Sequence, residues 1–226
     1  VIIWEREVPA EDLKKLYKAG DLVKADCGGC QGCFECCQGM GDSIKLDPLD
    51  VYRLETNLGL TFEGLMNSHI ELHAAENSIL PNLKMSGTKE RCTFLNEKGR
   101  CTVHAFRPGL CRLFPLGRYY LDGDFSYYLQ NQECPKKNKT KIKVSKWLDL
   151  PDLKKYEDFA AKWHFLLKDI GNLLEEKEDE QLTKELNMYV LNLFYTKPYE
   201  SGKDFYEQFE ERLGQMRKLL SVLQQN

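Results

Sequence analysis

Between Asp26 and Gly39 the chain reads "DCGGCQGCFECCQG", with Cys27, Cys30, Cys33, Cys36 and Cys37 inside eleven positions. A stretch so rich in thiol and glycine has little apolar surface to bury, so its shape depends on what the thiols bind. Disulfides fit poorly, because a bridge needs a particular Cα separation and orientation that near neighbours in a tight loop rarely offer. Nine cysteines is also an odd number. At 226 residues the chain can bury a real core and needs no staples. There is no apolar run of transmembrane length and no signal-peptide pattern, so the expectation is a cytoplasmic chain. In that setting, clustered cysteines serve metal binding or catalysis. A net charge of -3 argues against nucleic acid or an acidic membrane as partner.

Four more cysteines follow, Cys92, Cys101, Cys111 and Cys134. "CTFLNEKGRCTVH" has two β-prone arms around Asn96 to Gly99, a four-residue hairpin loop. That register sets Leu95 opposite Arg100, Phe94 opposite Cys101 and Cys92 opposite Val103. Cys92 and Cys101 then lie on one face, roughly 7–8 Å apart, close enough to share a metal or a cluster. A slip of one residue would part them. Cys36 and Cys37 are adjacent, and in an extended backbone they point opposite ways, toward two different centres. The count allows two four-thiolate sites, or one cluster plus a second metal. Zinc and iron–sulfur both suit such ligands. The run of x2 spacings, and Pro135 directly after Cys134, tilt the reading toward iron–sulfur because bacterial ferredoxins share both features. In "HAFRPGLCRLFP", Arg107 and Arg112 flank Cys111 and would offset thiolate charge by charge-assisted hydrogen bonds.

The rest of the chain gives the organisation. "VPAEDLKKLYKAG" reads as a first helix between Pro9 and Gly20. In "SIKLDPLDVYRLETNLGL" an extended piece leads to a helix with Asp47 as N-cap, Pro48 at N1 and Gly59 as terminator. Thr61 caps a further helix, "FEGLMNSHIELHAA". "RYYLDGDFSYYL" is a hairpin turning at Asp122-Gly123. After Cys134 the cysteines end and three helices follow. In the last of them Phe205, Phe209, Leu213, Met216 and Leu220 form a stripe that packs on the protein's own core. The expected fold class is α+β: a cysteine-rich metal-binding domain of short hairpins and helices at 1–148, then a helical C-terminal segment at 149–226.

Other candidates weigh less. His69 and His73 share a face if "HIELH" is helical, but they follow the Phe62, Leu65, Met66 stripe and read as half-buried structural residues. His104, three after Cys101, is the better ligand or support. "PKKNKTKIKVSK" carries six lysines and no acid. It reads as a solvated strand or loop, with a docking surface beside Cys134 as the sharper alternative. The aromatics of "YYLDGDFSYYL" read as cross-strand packing. No catalytic residue is assigned: Asp47, Asp50 and Glu55 look like surface carboxylates.

The ordered set C-x2-C-x2-C-C (Cys30, Cys33, Cys36, Cys37), C-x-F-L from Cys92, C-x-V-H-x-x-R-P-x-x-C-R-x-F-P from Cys101 to Pro115, and a late Cys-Pro resembles the YkgJ-type cysteine-cluster family. Its members are described as zinc- or iron-chelating proteins and include flagellin lysine N-methylases. Eight cysteines find a match, over roughly residues 27–135, and Cys27 is extra to the pattern. The resemblance implies metal ligation by Cys30, Cys33, Cys36, Cys37, Cys92, Cys101, Cys111 and Cys134. Its methylase members imply an iron–sulfur centre, S-adenosylmethionine as methyl donor and a protein or peptide substrate. No G-x-G-x-x-G follows a strand here. The expectation is thus a 4Fe-4S protein acting on a protein or peptide by methyl transfer or redox chemistry. The alternatives are a structural zinc module that mediates an interaction, and metal storage or delivery.

Overall fold

A computed structural model describes residues 8–26, 28, 33–75 and 77–225. It is 47 % helix and 19 % strand with short antiparallel hairpins, the mixture expected of an α+β chain. Helix α1, Pro48–Leu58, forms as its local sequence dictates. Asp47 Oδ1 accepts the Asp50 N–H at 2.8 Å, Asp50 Oδ2 accepts the Asp47 N–H at 3.3 Å, and Gly59 closes the helix at φ 68°. Leu49, Val51 and Leu54 turn inward.

Two expected helices are shorter than the sequence suggests. The first is only a 3-10 turn at Asp12–Lys14. Tyr17 instead exchanges both main-chain hydrogen bonds with Tyr127, at 2.8 and 2.9 Å, which draws the segment out along the hairpin. Helix α2, Phe62–Ser68, is capped by Thr61 as expected but stops at His69. Ile70–Ala75 is strand β2 and pairs with β3, Ser78–Leu83, with Ile70 opposite Leu83 and His73 opposite Leu80. Pairing that buries Ile70, Leu80 and Leu83 outweighs the helical spacing of the same residues.

The 92–103 segment also differs. Strand β4, Met85–Ser86, pairs with β5, Arg91–Cys92. Beyond Cys92 the chain makes turns: the Leu95 N–H reaches the Cys92 carbonyl at 2.9 Å, and Leu95, not Phe94, bridges to Cys101. The expected register is therefore off by one residue. The cause is the turn, in which the Asn96 N–H donates to the Arg100 carbonyl and Asn96 Oδ1 accepts the N–H groups of both Lys98 and Arg100. The second hairpin is as read. β6, Leu116–Leu121, and β7, Asp124–Leu129, meet at Asp122 (φ 51°) and Gly123 (φ 82°), the backbone that a two-residue turn requires. β1, Leu22–Asp26, pairs with β8, Thr140–Lys143, so a third of the lysine run is a strand.

Helix α4, Val144–Leu148, leads to α5, Leu153–Lys177, α6, Glu180–Leu191, a π-helical turn at Asn192–Thr196, and α7, Phe205–Gln225. The stripe of Phe205, Phe209, Leu213, Met216 and Leu220 is buried, as its period predicts. It meets Phe159 and Trp163 of α5: Phe159 packs edge-on to Phe209 at 4.7 Å. One continuous core runs from Val23 to Leu220, so the helical part packs on the same apolar body as the cysteine-rich part.

Candidate metal centre

The cysteine loop is fixed at its far end. Gln38 bridges to Arg91, and the Gly39 N–H reaches the Glu90 carbonyl at 2.9 Å, which lays the loop along β5 and Cys92. Phe34 packs on the 96–99 turn. A Cβ on Gly99 would stand 2.7 Å from the Phe34 ring, and Gly99 has φ 67°, so only glycine fits. Between these pieces and helix α3, Gly109–Leu113, lies a cavity of about 400 Å³. Cys33, Cys36, Cys37, Cys92, Cys101 and Cys111 all line it. Phe34, Phe94, Leu83 and Trp147 supply its apolar wall, and Arg100, His104 and Arg107 its polar one.

Cys36 and Cys37 do not point apart. Residues Glu35–Cys37 form a 3-10 turn, not an extended backbone. Their thiols are hydrogen-bonded to each other, which lowers Cys36 to about 7 and pushes Cys37 up. The assignment to two opposite centres is corrected accordingly. Burial raises Cys92, Cys101 and Cys111, and their closeness to one another and to Cys36 raises them further. Thiols crowded in a dry space resist ionising, and a bound cation is what makes such a set of thiolates stable. The donor set thus fits a thiophilic metal group.

Two expected ligands remain. Cys30, like Cys27, falls outside the described residues. Cys134 is half-buried, is not among the cavity-lining residues, and offers its carbonyl to Lys139 Nζ at 3.1 Å. The two arginines divide. Arg107 lines the cavity, hydrogen-bonds His104, and has a buried Nε without a partner among the described residues. Arg112 is corrected: its guanidinium donates to the carbonyl of Ala105 (2.8 Å) in the turn before α3 and to those of Leu148 (3.2 Å) and Asp149 (3.4 Å) at the end of α4, which packs against α3. His69 stacks on Phe94 at 4.2 Å, and His73, on β2, meets Asp42 at 2.9 Å; neither is among the cavity-lining residues. His104 lines the cavity.

Asp50 does not behave as a surface carboxylate. It is 2 % exposed, and burial, with Asp47 beside it, raises it well above the usual carboxylate range. "DPLD" announces a cap, which is ordinarily solvated, so the sequence holds no signal of this burial. Among the described residues no three His, Cys, Asp or Glu side chains are gathered tightly enough to hold a metal ion as they stand. The thiols are spread around the cavity wall.

A cavity walled by thiols, closed by aromatics and edged by guanidinium defines the class, a thiolate metal-binding module. The chain belongs to the family whose model is described as "CxxCxxCC: Putative zinc- or iron-chelating domain", which matches residues 29–144, just over half of its length. No curated protein and no solved structure matches it. No helix among the described residues is long and apolar enough to cross a membrane.

Proposed function

We propose that the cavity holds an iron–sulfur cluster of the 4Fe-4S type, and that the protein uses it to modify a protein or peptide. The observation that carries this reading is the spread of six thiols around about 400 Å³. A structural zinc ion draws four ligands to one point, with sulfur at about 2.3 Å. A group containing several metal atoms suits donors that face one another across a space. Such a cluster takes four cysteine ligands, so four of Cys33, Cys36, Cys37, Cys92, Cys101 and Cys111 would hold it. Such a cluster supplies electron transfer or Lewis acidity. The chain's own part is to exclude water with Phe34, Phe94 and Trp147, to offset thiolate charge with Arg107, and to present His104 and Arg100 to an incoming group. In the methyl-transfer version S-adenosylmethionine is the donor.

The test is anaerobic purification with metal and acid-labile sulfide analysis. The expected result is about four iron and four sulfide per chain with a broad visible charge-transfer absorption. Calorimetry with S-adenosylmethionine then separates methyl transfer from redox chemistry. Zinc without sulfide, retained through chelator treatment, overturns the reading in favour of a structural module. Metal lost to a mild chelator overturns it in favour of storage or delivery.

A further inference from the structure

Helix α3 carries Cys111 but has only five residues, too few to hold its own shape. Its first N–H, on Gly109, donates to Asp50 Oδ1 at 2.7 Å across 59 positions of sequence. Asp50 comes from the first turn of α1, where its other oxygen serves the Asp47 N–H. Any Cβ on Gly109 would collide with Tyr156 Oη. Tyr156 belongs to α5, is 1 % exposed, and accepts a hydrogen bond of 2.5 Å from Arg118 Nη2 on β6. Three elements distant in sequence therefore converge on one backbone position two residues before Cys111.

Capping α1 alone would not require a buried acid, since a capping side chain works in water. Burying a carboxylate costs free energy unless it is well bonded. Here it is bonded to the one helix that carries a cavity thiol from outside the cysteine loop and the 92–101 turns. We infer that Asp50, Gly109 and Tyr156 form a positioning node that sets the direction of Cys111 into the cavity and ties the C-terminal helices to the thiol set. The node rests on the cavity and on Cys111 as part of its wall, and is independent of which metal the protein holds.

The experiment uses the full, metal-free chain. Each cysteine is alkylated by a small neutral reagent, its rate is followed by mass spectrometry, and the melting temperature is measured alongside. Asp50→Asn removes the charge but keeps an acceptor for Gly109. Asp50→Ala removes both, and Gly109→Ala keeps the charge but forces α3 away from Tyr156. A change common to Asn and Ala reports the lost carboxylate together with its bond to the Asp47 N–H, and the excess in Ala reports position. Asp50→Ala and Gly109→Ala should shift the Cys111 rate about tenfold beyond Asp50→Asn, with Cys92 and Cys101 changing less than about twofold. If Asp50→Ala matches Asp50→Asn, if the three thiols move together, or if only the melting temperature falls, the node is merely structural and the inference fails. Should the alanine variants not fold, Tyr156→Phe removes the oxygen against Gly109, and with it the acceptor for Arg118 Nη2. It should still shift Cys111 selectively, by about threefold, and an unchanged rate there overturns the inference. Because no metal is present, this outcome is independent of the metal and sulfide analysis.

Discussion

Tyr195 Oη donates to the Leu46 carbonyl at 2.9 Å, joining residues 149 apart. Both are buried, at 2 % and 1 % exposure. Leu46 stands two residues before α1, so this bond fastens the C-terminal helices to the helix that carries Asp50. Tyr195→Phe keeps the ring and leaves a buried carbonyl without its donor. That should cost about 1–3 kcal/mol. A melting temperature several degrees lower by calorimetry is the expected result, and an unchanged one would show the bond to be replaceable by water.

Arg112 tests how charge is used beside the cavity. Its guanidinium spans carbonyls at the turn before α3 and at the end of α4, a geometry a lysine ammonium cannot reproduce. Arg112→Lys should therefore destabilise by about 2–3 kcal/mol, read by denaturant unfolding. If Arg112 instead served the thiolates directly, lysine would keep the charge and stability would barely change.

Features set by neighbours in sequence were legible before the structure. Asp47, Pro48 and Gly59 bound α1, Asp122-Gly123 turns the second hairpin, and the Phe205-to-Leu220 stripe packs inward. What depended on distant partners was not. Tyr17 leaves its expected helix because it pairs with Tyr127, and Ile70–Ala75 leaves its helix to pair with β3. At the site, the thiols of Cys33, Cys36, Cys37, Cys92, Cys101 and Cys111 were all candidates from their spacing, whereas Asp50 was invisible because its partner lies at Gly109.

His164 gives a pH signature far from the thiols. Its ring stacks on Tyr120 with centroids 3.6 Å apart, and burial, with Lys168 and Arg118 adding repulsion, lowers it from 6.5 to about 4. Between these values the unfolded chain takes up a proton that the folded chain refuses. The stability His164 contributes is therefore complete above pH 6.5 and is lost as pH falls toward 4. His164→Phe keeps a stacked ring and removes the proton site. Its advantage over the parent should grow by about 2 kcal/mol between pH 7.5 and 4.5, after discounting for the ring's partial exposure. A pH-independent difference in melting temperature would mean that His164 takes up its proton equally in the folded and the unfolded chain.

Cys36 and Cys37 decide between one centre and two. Their thiols are hydrogen-bonded in a 3-10 turn and both line the same cavity. Cys36→Ser and Cys37→Ser should therefore each deplete the same metal population, with the same loss of visible absorption per chain. Two independent centres would behave differently, since each substitution would empty one and spare the other. Metal analysis of the two single variants, reconstituted side by side, reads this directly. Matching losses support a single thiol-walled centre. Complementary losses would mean that the turn at 35–37 rearranges on loading, so that one of the two thiols swings toward ligands outside this cavity wall.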